Sequence, residues 1–171
     1  MAIKGDTKAL QQLRQRLGKV RSAEFRKRIS NVVGHEALSL VLEGFAASKD
    51  PYGVRWAPLK VRQGQPLLDK GLLRNSINVR AVALGFELAT DNVGAKLHQH
   101  GGTVRPKNAR ALSFMVGNRR VFAKSVTIPA RPFFPDARGL PRRWAAAFRA
   151  IASDFISSTM GHAHSHVLGG A

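Results

Sequence analysis

Two short segments hold the side chains with the most chemical capacity. Ala95-Lys96-Leu97-His98-Gln99-His100-Gly101-Gly102 places two imidazoles and a carboxamide beside paired glycines. Ile128-Pro129-Ala130-Arg131-Pro132-Phe133-Phe134-Pro135-Asp136 sets one arginine and two phenylalanines among three prolines. Imidazole and carboxamide groups donate or accept hydrogen bonds, and glycine pairs permit a close backbone turn. Nucleophilic catalysis asks for more, namely a hydroxyl, a base and an orienting group that converge. His98, Ser113 and Asp136 have the right types, but nothing in their local setting brings them together. The chain also lacks a His-Glu-x-x-His metal signature, a phosphate-loop lysine motif and a dinucleotide glycine fingerprint. His162, His164 and His166 alternate in a glycine-containing end, and alternation alone fixes no ligand geometry. The expectation is no catalytic set, no metal site and no cofactor.

The surroundings of these segments are strongly basic. Lys and Arg number 28 against 10 Asp and Glu, a formal charge of +18 in 171 residues. Such a surface attracts phosphate backbones, acidic proteins or anionic membranes, so charge names a class of partner rather than a particular one. The absence of cysteine removes disulfides, thiol catalysis and cysteine metal ligands. The opening residues lack the continuous apolar run of a secretion signal, and no later stretch is long and apolar enough for a bilayer. This reads as a soluble protein, or a peripheral part of an assembly, with no membrane partner. The length suits one ordinary core, hence a single α+β domain over residues 1–160 and a flexible tail over 161–171.

The elements that position the two segments follow from periodicity. Leu10, Leu13, Leu17 and Val20, then Phe25, Ile29, Val32 and Leu40, recur at helical spacing and predict two helices bent or separated near Gly18. Arg14, Arg16, Lys19, Arg21, Arg26, Lys27 and Arg28 surround these positions, either as a solvated face or as a surface for nucleic acid or an acidic neighbour. Asp50-Pro51-Tyr52-Gly53 predicts a turn, and Trp56 a core or loop anchor. Leu68, Leu72, Leu73 and Ile77 suit one side of a short helix, with Gly71 and Leu72 as anchors. Val82, Leu84, Phe86 and Leu88 alternate as on one strand, and Leu112, Phe114 and Val116 as on another. Asn118-Arg119-Arg120 would turn that second strand into a partner running from Val121 to Ile128. Trp144, Phe148, Ile151 and Phe155 mark a final helix that covers the sheet. The fold class is therefore α+β, with N-terminal helices, a small antiparallel sheet and a C-terminal covering helix.

Arg131 and the two phenylalanines beside it read as a docked segment, with the arginine meeting an interface or an internal carboxylate. His98 and Gln99 read as part of a loop, which either satisfies its own turn or meets another subunit.

Four blocks in order carry a resemblance. They are Asp50-Pro51-Tyr52-Gly53-Val54-Arg55-Trp56-Ala57-Pro58-Leu59, Leu68-Asp69-Lys70-Gly71-Leu72-Leu73-Arg74-Asn75-Ser76-Ile77, His98-Gln99-His100-Gly101-Gly102 and Arg131-Pro132-Phe133-Phe134. Together they resemble the phage virion morphogenesis family, which includes the Mu-like G protein and related tail-completion proteins, over residues 35–155. The resemblance implies a structural protein of a tailed phage that completes the tail or forms the head–tail neck, and no reaction. It implies a virion location at the tail's head-proximal end or neck, after passage through the host cytoplasm. The implied partners are copies of itself in a closed homo-oligomeric ring, sixfold by resemblance to tail-end assemblies, together with tail-tube, terminator and connector proteins. Non-specific proximity to packaged DNA is compatible with the charge. His98, Gln99, Arg131, Phe133 and Phe134 are the candidate interface residues. Asp50, Gly53, Trp56, Gly71, Leu72 and Trp144 are the candidate fold anchors. The alternative reading is a basic DNA-binding or DNA-packaging accessory protein.

Overall fold

The computed structural model of the chain describes residues 7–83 and 85–161. It opens with α1 (Thr7–Arg21) and α2 (Ala23–Ala47). Gly18 lies inside α1, so the break falls at Ser22 instead. A mid-helix glycine costs only about 1 kcal/mol relative to alanine and is tolerated. Ser22 closes one helix and opens the next. Its N–H and hydroxyl both donate to Lys19 O, at 3.1 and 2.7 Å, while its Oγ accepts from Phe25 N at 3.1 Å. That last bond satisfies one of the free amides at the start of α2, as an N-cap serine does.

After α2 come a loop and the single turn α3 (Leu72–Asn75), shorter than the run from Leu68 to Ile77 suggested. The hairpin β1 (Ile77–Val82) and β2 (Gly85–Thr90) follows. The alternating set from Val82 to Leu88 is thus not one strand. It spans the end of β1, a turn, and β2; Leu84 lies outside the described residues. Next come α4 (Ala95–His100), β3 (Gly102–Val104), β4 (Leu112–Val116), β5 (Arg119–Ala123), β6 (Val126–Ile128) and α5 (Arg142–Gly161). The strands form three two-stranded antiparallel ladders, β1 with β2, β3 with β6 and β4 with β5, rather than one sheet. The partner expected over Val121–Ile128 divides at Lys124-Ser125: its first part pairs back on β4 and its second on β3. The β4–β5 turn sits at Gly117-Asn118, with φ +58° at Gly117, so Arg119 and Arg120 already belong to β5. Glycine at the first central position suits a two-residue hairpin turn.

Two compact units result. The first combines the chain up to Glu36, Val79–Glu87 and the chain from Ala146. Here Phe25 meets Phe155 at 5.3 Å between centroids and Phe148 meets Phe86 edge-on at 5.9 Å, so α5 covers the hairpin tip as its spacing predicts. Gly34 permits this packing, since a Cβ there would stand 2.7 Å from Val79 Cγ1 and 3.1 Å from Phe86 Cβ.

The second unit combines Ala37–Asn78 and Leu88–Ala145. Its core contains Val41, Phe45, Trp56, Leu73, Ile77, Phe133 and Trp144. Burying side chains of this size stabilises by roughly 1.5–3 kcal/mol each. Leu73 is the buried leucine of α3, whereas Leu72 is 69% exposed and does not anchor the fold. One turn of helix can direct only one of two adjacent side chains inward.

Candidate functional site

The second unit brings three of the four sequence blocks into a single hydrogen-bonded cluster. Helix α4 starts from Asn92, whose Oδ1 accepts from Gly94 N at 2.9 Å and whose carbonyl accepts from Ala95 N at 2.9 Å. Asn and Asp favour such turns because their side chains bond the backbone two residues on. His98 and Gln99 are therefore helical rather than part of a loop. The helix ends at Gly101, which has φ +72°, and a Cβ there would lie 2.7 Å from Ala130 N. Only glycine serves both the left-handed backbone and this approach. The chain then pairs Gly102 with Ile128 as β3 meets β6.

The contact this creates between the third and fourth blocks is specific. Arg131 N donates to His98 O at 2.7 Å. The Gln99 side chain acts as a substitute strand: its Oε1 accepts from Phe133 N and Phe134 N, both at 3.0 Å, and its Nε2 donates to Phe134 O at 2.9 Å. The prolines around Phe133 restrict the backbone and remove donors, so this segment has no ladder of its own, and one carboxamide satisfies three of its groups. Phe133 is thereby seated against Phe45, at 5.7 Å between centroids, and is only 3% exposed.

Arg131 is 5% exposed and, among the described residues, meets no carboxylate. Its Nε donates to Ala57 O at 2.8 Å and its NH2 to Pro58 O at 3.1 Å. The guanidinium thus fastens the loop after Trp56, whose own Nε1 donates to Pro132 O at 2.8 Å. Burial, and then the charge of Arg62, push Arg131 below the ordinary arginine value. A buried charge is tolerated when its hydrogen bonds are made.

The first block is tied in by a feature that sequence reasoning did not pick out. Asp50 Oδ1 accepts from Tyr52 N and Val54 N, at 2.9 and 2.8 Å, and Gly53 turns at φ +91°. The Tyr52 hydroxyl donates to Gly139 O at 2.7 Å and accepts from Asp136 N at 3.1 Å. Arg138 lies over the Tyr52 ring, 3.7 Å from its centroid, with NH2 2.8 Å from Asp136 and 3.4 Å from Asp50. The Arg138 side-chain and backbone hydrogen bonds hold the Asp136 carboxyl well below the usual carboxylate range. The sequence signal was the recurrence of Asp-x-x-Gly in Asp-Pro-Tyr-Gly and Asp-Ala-Arg-Gly, the second carrying an arginine that can meet both aspartates, but their separation by more than eighty residues concealed it.

His98 is half-buried, and its Nδ1 is enclosed without a hydrogen-bond partner among the described residues. Burial, then the charge of Arg131, lower its pKa from 6.5, so the imidazole is neutral near pH 7. It borders a cavity of about 370 Å³ walled by Leu59, Leu67 and Ile128 and flanked by Arg62 and Arg131. His98, Ser113 and Asp136 share no hydrogen bond: Asp136 belongs to Tyr52 and Arg138, and Ser113 lies on the exposed face of β4. Among the described residues no group of three or more His, Cys, Asp or Glu side chains could hold a metal ion, and no helix is long and apolar enough to cross a membrane. His162, His164 and His166 lie outside the described residues.

Of the interface candidates, Arg131 and Phe133 are buried, while His98, Gln99 and Phe134 retain partial exposure, Gln99 with its carboxamide bonded to the backbone of Phe133 and Phe134. Asp50, Trp56 and Trp144 are buried, and Gly53 and Gly71 adopt positive φ. Arg14, Lys19, Arg21, Arg26, Lys27 and Arg28 are exposed, with Arg28 placed 5.4 Å from the Phe155 ring centroid. The Arg16 side chain lies outside what is described.

A family model described as the phage virion morphogenesis family matches residues 6–142. The matched span takes in all four blocks and the whole of α1 and α2, beginning earlier than the expected residue 35, and it ends at Arg142, the first residue of α5, short of the expected 155. No curated protein and no solved structure matches the chain.

Proposed function

The chain belongs to the phage virion morphogenesis family, and on that premise we propose that it completes the tail, or forms the head–tail neck, as the repeated subunit of a closed ring. A structural role in phage assembly and association with the virion follow from the family itself; the position, the ring and its sixfold symmetry are the proposal. The observation that carries it is the use made of the shared blocks. Asp50, Trp56, Gln99 and Arg131 are spent on fastening loops and strand ends to one another, which is the work of a rigid building unit.

A ring of identical subunits places one surface of each copy against a different surface of the next, and closure avoids an open filament. In this reading the candidate interface around His98, Gln99, Arg131, Phe133 and Phe134 acts through the surface that its buried members brace. Phe134 and His98 are its accessible part, and Gln99 and Arg131 hold them in place. The ring's outward neighbours are tail-tube, terminator and connector proteins.

Self-association must overcome a charge of +18 per copy. Like charges repel over roughly 10 Å at 0.1 M salt, so acidic neighbours or packaged DNA would aid assembly. The exposed arginines and lysines of α1 and α2 keep a second reading in view, a DNA-binding or DNA-packaging accessory, whose signature is strongly salt-dependent and sequence-independent affinity for duplex DNA. Disrupting the coding sequence and imaging the lysate separates the two. Filled heads beside detached or misterminated tails support the tail and neck role. Empty heads favour packaging, and intact virions at normal yield contradict both.

A further inference from the structure

The β4–β5 hairpin is a two-stranded ribbon apart from the cluster around Gln99. Its register pairs Ser113 with Phe122 and Met115 with Arg120, so these four side chains share one face. All four are exposed, Met115 by 55% and Phe122 by 66%. The opposite face, with Leu112, Phe114, Val116 and Val121, is half-buried. Among the described residues neither strand has a second neighbour, so both outer edges carry backbone groups without a ladder partner there. A lone two-stranded ribbon is marginal in water, and open edges are templates for another strand.

The charge around it has one sign. Residues 92–135 contain no Asp or Glu. Arg105, Lys107, Arg110, Arg119, Arg120 and Lys124 are all exposed, and among the described residues none forms a salt bridge. A second copy of this chain, itself at +18, is a poor match for such a surface. Duplex DNA would satisfy the arginines but not the open strand edges or the Met115–Phe122 pair. A chain that supplies backbone hydrogen bonds, apolar side chains and carboxylates together satisfies all three.

We propose that the β4–β5 hairpin is a docking arm for a different, acidic protein, which adds an extended segment along one edge and covers Met115 and Phe122. Backbone bonds give such strand addition its affinity and alternate side chains its specificity, while Arg119 and Arg120 steer the encounter. This rests on the phage reading only for where the partner is found.

The test replaces Phe122 by a photo-reactive benzoylphenylalanine in the full-length chain, in cells producing virions, and sequences the cross-linked peptides. The expected product joins position 122 to an extended segment of another protein with net negative charge. Arg119→Glu with Arg120→Glu should lower its yield by about tenfold, while Arg80→Glu with Arg149→Glu, at exposed positions outside the hairpin, leaves it unchanged; near-ultraviolet circular dichroism confirms that each variant is folded. Cross-links to this chain's own peptides, cross-links to nucleic acid, no cross-link, or a yield indifferent to Arg119 and Arg120 would each overturn the proposal. Particles that contain the chain but give only self cross-links would sink the docking arm and leave the tail and neck role standing.

Discussion

Gln99 should be the most sensitive polar position in the second unit. Gln99→Met keeps the length and volume of the side chain but removes an acceptor used twice and a donor used once. Each such bond contributes about 0.5–1.5 kcal/mol net, and leaving a buried partner unsatisfied costs about 1–3 kcal/mol. The partners at Phe133 and Phe134 are part-buried, so water recovers some of the loss, and the expected destabilisation is roughly 2–4 kcal/mol. For a chain of this length that lowers Tm by about 5–15 °C. Both tryptophans, Trp56 and Trp144, are buried in this same unit, so urea unfolding followed by their fluorescence reports directly on it. A loss under about 0.5 kcal/mol would mean that the carboxamide does not stand in for a missing strand.

Three further outcomes are expected. Gly101→Ala should cost several kcal/mol by the same fluorescence measurement, because the added Cβ meets the Ala130 backbone at 2.7 Å in a left-handed conformation; a cost near 0.5 kcal/mol would mean the strand junction is loose. Arg131→Lys retains the charge but cannot span the Ala57 and Pro58 carbonyls as a planar fork does, so it should destabilise nearly as much as Arg131→Met, and full tolerance would contradict the fastening role. The folded-state pKa of His98 lies below 6.5, so the unfolded chain takes up its proton first. The stability linked to this group is complete above about pH 6.5 and declines as pH falls below that value. An imidazole NMR titration with a midpoint at or above 6.5 would show the direction to be wrong.

Much of the architecture was legible because it rests on local pattern. The spacing of Trp144, Phe148, Ile151 and Phe155 identified α5 and its packed face, and Asp50-Pro51-Tyr52-Gly53 identified its turn. Boundaries were harder: glycine at position 18 is a weak helix breaker, whereas Ser22 can end one helix and cap the next. The strand reading over Val82–Leu88 failed because the alternation runs on past the end of β1 at Val82 and the turn at Ala83, with only Gly85 to mark the change. One sheet was expected where three ladders form, since partner choice is set by residues distant in the chain. The internal roles of Gln99 and Arg131 were hidden for the same reason. A carboxamide or guanidinium bonded to backbone carbonyls and amides has no complementary side chain to find, and the contacts of Arg131 span more than seventy residues. Tyr52 was legible only as a turn residue, and its contacts with Asp136 and Arg138 arise where the fold brings two turns together.

Cryo-electron microscopy of intact virions, with this subunit placed by its side-chain density, decides whether the chain forms a ring at the head-proximal end of the tail. The expected result is a closed ring between the connector and the tail tube, with Phe134 and His98 turned toward the adjacent copy, the Gln99 carboxamide bonded within its own chain and Arg131 buried. Mature particles that lack the chain, or that carry it as scattered monomers away from the head-proximal end of the tail, would contradict it.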